Sequence, residues 1–119
     1  DHCDALYQIY KKGKIGESYN VGSNVNLKNL DVVKSILKIL KNKGFKIGTN
    51  VKIKFVKDRP GHDFRYSLNS QKIRKKIKWK SKTSFINGLK MTVDWYLGNR
   101  KFITSISKKL YAKRLGLKI

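Results

Sequence analysis

Acidic residues are scarce in this chain. Seven Asp and Glu stand against 29 Lys and Arg in 119 residues, a formal net charge of +22, and no two carboxylates are spaced as an acid–base pair. A single cysteine, Cys3, excludes an internal disulfide. It is expected to pack as a small apolar residue. The two histidines lack Cys or His partners at ligand spacing, so no metal centre is expected, and His2 is read as structural. No apolar run approaches the ~20 residues that cross a bilayer. No charged-then-apolar leader is present either. A soluble, cytoplasmic chain with no membrane partner is the expectation. No G-x-G-x-x-G or G-x-x-G-x-x-G occurs, so the turn that brings a dinucleotide pyrophosphate to backbone N–H groups is missing. No G-x-S-x-G presents a nucleophile to a base. Methionine is confined to Met91 and the chain starts at Asp1, which reads as the later part of a longer protein.

A charge this large raises nucleic acid as a partner. Two runs are dense: residues 72–82 carry seven basic side chains and residues 107–118 carry five, with Tyr111 between them. Basic residues interleaved with aromatics can hold single strands. Most of the positive charge here is lysine, spread through every segment and accompanied by abundant Ile and Asn. That pattern suits solvated faces, and no nucleic-acid partner is expected. Trp79 follows Ile73 and Ile77 at a spacing that fits the buried side of a helix end.

Helices are expected over residues 1–12, ended by Gly13; over 30–43, with Leu30, Val33, Leu37 and Leu40 in register and Asn29 as cap; and over 71–77, after a Ser70 cap. Another is expected from a Thr83 or Ser84 cap to about residue 97, with Phe85, Leu89, Val93 and Tyr96 as its apolar stripe, and a last one over 101–110. Residues 17–22 read as a short buried strand. Val51, Ile53 and Phe55 alternate with Lys52 and Lys54, the period-two pattern of a strand with one covered face.

Directly after that alternation stands Asp58-Arg59-Pro60-Gly61-His62-Asp63, followed by Arg65-Tyr66. Pro60 fixes one backbone angle and Gly61 permits a positive one, so the chain is sharply re-aimed here. The string resembles the nucleotide-sugar-binding loop of the dTDP-glucose 4,6-dehydratases, within the extended short-chain dehydrogenase/reductase family. Tyr19-Asn20-Val21-Gly22, then Lys28-Asn29-Leu30-Asp31-Val32-Val33, Lys90 to Leu97 and Arg114-Leu115-Gly116-Leu117 follow the same family in order.

The resemblance implies an α/β fold: residues 1–119 would be the small substrate-binding C-terminal lobe of such an enzyme, without most of the Rossmann domain. It implies that Arg59 and His62 contact the diphosphate and adjoining sugar of dTDP-glucose. Arginine suits that role through its planar fork of donors. A further contact in the family comes from an Asn just after the Tyr-Asn-x-Gly strand; here the ungapped position holds Val25, and Asn26 is the candidate, with Asn24 the other neighbouring Asn. NAD is implied as the cofactor, bound by the N-terminal domain, and the parent enzyme as a homodimer. No residue is assigned a catalytic role, and the chain by itself is expected to be inactive. A related nucleotide-sugar epimerase or decarboxylase is the alternative reading, and a basic nucleic-acid-binding domain a third.

Overall fold

The computed structural model describes residues 1–48, 51–58, 60–61 and 67–106, and within them five helices in chain order. These are α1 (His2–Lys12), α2 (Asn29–Asn42), α3 (Gln71–Lys76), α4 (Phe85–Gly98) and α5 (Arg100–Ser105).

Each boundary has a local cause. Helix α1 stops at Gly13, whose N–H meets the Ile9 carbonyl at 2.6 Å, and a Cβ at this position would lie 2.5 Å from that same oxygen. Only glycine fits so close an approach. Helix α4 begins at Ser84, whose Oγ accepts the Asn87 N–H at 3.3 Å as an N-cap should. It runs through Gly98 and ends at Asn99, whose Nδ2 donates to the Trp95 carbonyl at 2.8 Å. At α2 the cap falls on Lys28, with Asn29 already helical and no side-chain cap made. The expected Asn29 cap is therefore not used.

The core gathers distant parts of the chain. Ala5 of α1, Ile73 of α3, Ile77 and Trp79 are all buried, with Ile9, Tyr19 and Val21 packed around them. Trp79 thus lies inside, as its spacing from Ile73 and Ile77 predicts. Fully covering an isoleucine such as Ile73 contributes about 1.5–3 kcal/mol. Leu6 and Tyr10 of α1 point outward at 52 % and 87 % exposure. Cys3 is exposed as well, against the expectation that it packs inside.

A second grouping joins α2, α4 and α5. Helices α2 and α4 pack together and Ile39 is buried in α2. Lys43 at the end of α2 pairs with Asp94 on α4. Trp95 meets Phe102 edge-on, with ring centroids 5.0 Å apart, which seats α5 against α4.

No strand forms among the described residues. The segments 17–22 and 51–56, both expected as strands, run without a ladder partner there. A strand needs neighbouring backbone to satisfy its N–H and C=O groups, and among the described residues neither segment makes a ladder with another. In 51–56 both faces lie open: Val51, Ile53 and Phe55 are 54 %, 45 % and 86 % exposed, and Lys52 and Lys54 are exposed with them. The described fold is helical, and the α/β expectation is not realised in it.

The accessible surface is 10951 Å². A compact monomer of this mass would expose about 6,600 Å². The radius of gyration, 18.3 Å, likewise exceeds the roughly 13.5 Å of a compact chain of this length. The helices form an open arrangement with many apolar side chains facing outward.

Candidate functional site

Arg59 and His62 lie outside the described residues, as do Asp63, Arg65 and the basic run from residue 107 onward. The structure does describe the two segments that frame their loop. On the approach, residues 51–58 run without regular secondary structure and lead to a turn at Pro60 and Gly61, and Gly61 takes φ +68°. That is the positive angle glycine was expected to supply.

On the return, residues 67–70 are fixed to the turn that carries Asn26. Asn24 adopts φ +61°, a left-handed conformation that Asn tolerates better than most residues. Its Oδ1 accepts both the backbone N–H and the hydroxyl of Ser70. Ser70 is completely buried, so a buried hydroxyl and amide share one acceptor and neither is left without a partner. Ser70 makes no side-chain cap on α3, so the expected cap is not used. Asn20 Nδ2 donates to the Asn69 carbonyl at 3.3 Å, and a Cβ at Gly22 would stand 3.8 Å from that of Leu68. The turn after residues 17–22 and the exit of the 58–66 loop are thereby held side by side.

This geometry separates the two asparagines. Asn24 has its side-chain oxygen committed to Ser70, while Asn26 is exposed two residues further on. The role of Asn24 as a bracket was not legible from its position in a polar turn.

Among the described residues, no group of three or more His, Cys, Asp or Glu could hold a metal. Tyr7 and Lys11 stand four residues apart, and Tyr10 and Lys14 repeat the spacing. In α1 the Lys11 ammonium sits 4.6 Å from the centre of the Tyr7 ring. This is a surface cation–π contact between exposed residues, with no glycine-rich turn in the chain to bring a cofactor near.

The family model described as GDP-mannose 4,6 dehydratase matches residues 1–92. The chain belongs to this family. The matched span includes α1, the Asn24–Ser70 bracket and the whole 58–66 loop. Among relatives, dTDP-glucose 4,6-dehydratase 1 of Escherichia coli K12 is 39% identical over 116 residues, covering 93% of this chain and 31% of that protein. The dTDP-glucose 4,6-dehydratase of Haemophilus influenzae is 43% identical over 104 residues, covering 83% of the chain and 31% of its own length. A solved dTDP-glucose 4,6-dehydratase of Bacillus anthracis, in complex with NAD, superposes with a TM-score of 0.71 at 37% identity, covering 85% of this chain and 30% of that one. The chain thus spans about a third of the length of the dehydratases it matches. No helix among its described residues is long and apolar enough to cross a membrane.

Proposed function

We propose that residues 1–119 form the substrate-binding C-terminal part of a dTDP-glucose 4,6-dehydratase and bind the nucleotide-sugar through Arg59, His62 and Asn26. The observation that carries this reading is the bracket at Asn24 and Ser70, which sets the Asn26 turn beside the exit of the loop bearing Arg59 and His62. In this reading the guanidinium of Arg59 makes paired, charge-assisted hydrogen bonds to the diphosphate. The His62 imidazole adds one donor, and the Asn26 amide orients the neighbouring part of the ligand.

The parent reaction in this reading converts dTDP-glucose to its 4-keto-6-deoxy product. The chain contributes binding and orientation to it. It has no glycine-rich turn for a dinucleotide, so NAD binding falls to another part of the enzyme and no residue here is assigned to it. Segments 17–22 and 51–56 gain their ladder partners on the nucleotide-binding sheet, and the assembled fold is α/β. The open surface and the exposed Val51, Ile53 and Phe55 support such a covering partner.

A chimera tests the reading. Residues 1–119 replace the matched span of the Escherichia coli relative, and conversion of dTDP-glucose is followed by formation of the 4-keto product. Turnover by the chimera, and none by the isolated chain supplied with NAD, is the expected result. A folded chimera that binds NAD but neither binds dTDP nor turns over dTDP-glucose would overturn it.

A further inference from the structure

Arg74, Lys78 and Lys80 line one open cleft of about 430 Å³, together with Ser23, Trp79 and Ser81. Among the described residues no carboxylate lines it. Among the described residues none of the three cations is found in an ion pair, whereas Lys43, Lys72 and Lys82 each have an acidic neighbour. Three like charges drawn to one cleft repel each other, and a bound anion would relieve that repulsion.

Two details go beyond a chance gathering of lysines. Arg74 is anchored: its Nη2 donates to the Ser23 carbonyl at 3.3 Å, which ties the guanidinium to the wall of the cleft while the other donors of the fork remain to be used. Lys78 stands just past the end of α3 with φ +61°. Glycine usually fills this left-handed position after a helix, because any Cβ is strained there. Here a long cationic side chain accepts that strain, and it lines the cleft. Trp79 closes the floor, with its indole N–H turned away to Asp4.

We infer that this cleft is an oxyanion site that takes a phosphate group, with Arg74, Lys78 and Lys80 as its cations and the Ser23 and Ser81 hydroxyls as neutral donors. The phosphate could belong to a small diphosphate or to a nucleic-acid backbone, and the chemistry of recognition is the same. The inference does not depend on the roles proposed for Arg59 and His62.

The test is calorimetric titration of the 119-residue chain with inorganic pyrophosphate and, separately, with a single-stranded oligothymidylate, near physiological ionic strength. Three variants accompany it: Lys78→Gly, Arg74→Gln and Arg59→Ala. Lys78→Gly removes a cation but keeps a residue suited to positive φ, so folding is preserved, and circular dichroism checks this. Saturable pyrophosphate binding, weakened roughly tenfold in Lys78→Gly and in Arg74→Gln and unchanged in Arg59→Ala, is expected. If only the oligonucleotide binds, with the same losses, the site stands and its phosphate comes from nucleic acid. Wild-type binding by the folded Lys78→Gly and Arg74→Gln chains overturns the inference. So does the lack of saturable binding by either probe, or a loss confined to Arg59→Ala.

Discussion

The indole N–H of Trp79 donates to Asp4 Oδ2 at 2.8 Å, joining the first turn of α1 to the residue that closes the core after α3. Asp1 reinforces this join, because its two carboxylate oxygens accept the backbone N–H groups of Lys82 and Thr83 at 3.2 and 3.0 Å. Replacing Asp4 by Ala leaves the largely buried indole without its acceptor, at an expected cost of about 1–3 kcal/mol. Asp4→Asn keeps an acceptor oxygen and should lose less. Chemical denaturation followed by tryptophan fluorescence measures both; equal midpoints for Asp4→Ala and the wild type would show that the bond contributes nothing.

The Asn24–Ser70 bracket gives a second expectation. Asn24→Ala removes the acceptor of a buried hydroxyl and of a backbone amide, and puts a residue less tolerant of positive φ at +61°. The combined loss should be about 2–4 kcal/mol. Asn24→Asp retains both the acceptor and the conformational tolerance, so it should be much milder. Thermal unfolding ranks the two, and the reverse order would contradict the bracket.

Helix α5 rests on Phe102 against Trp95. Both rings are about half exposed, so Phe102→Ala should cost only about 0.5–1.5 kcal/mol. The effect should be local. Amide exchange is expected to quicken in α5 while α1 and α3 keep their protection, and a uniform rise across the chain would indicate a wider role for the pair.

In the chimera, Arg59→Ala is expected to weaken dTDP binding by about 1.5–3 kcal/mol, the worth of a charge-assisted hydrogen bond. The apparent substrate constant should rise more than turnover falls. Arg59→Lys should recover little, because an ammonium restores charge without the planar fork. His62→Ala should cost less than Arg59→Ala. Inhibition by dTDP that is equal in Arg59→Ala and the unsubstituted chimera would remove this loop from the diphosphate site.

The parts of the fold legible in the sequence were those set by neighbours along the chain. Helices α2 and α4 announce themselves through apolar residues at helical spacing, and Ser84 and Gly13 mark ends that the backbone uses. Even so, the register drifts: Ile39 is the buried residue of α2, and Tyr96 of the expected α4 stripe is 45 % exposed. What the sequence could not show was pairing at a distance. Alternation over residues 51–56 encodes a readiness to be a strand, but a strand exists only where another backbone lies alongside it. Likewise, nothing near Asn24 in the sequence points to Ser70, 46 residues later. For the site, the motif named the loop, while the bracket that frames it came only from the structure.

The bare segment from Val51 to Val56 also has a bearing on how copies of the chain treat one another. A run with strand alternation, apolar on one phase, and no ladder partner among the described residues is a template for edge-to-edge pairing where it extends. Lys52 and Lys54 occupy the other phase, and two such edges brought together would set ammonium against ammonium. Charge repulsion of this kind would oppose self-pairing and favour a partner of lower positive charge. That repulsion has a range: at 1 M salt the Debye length falls to about 3 Å, and self-pairing of this segment is expected to be opposed less.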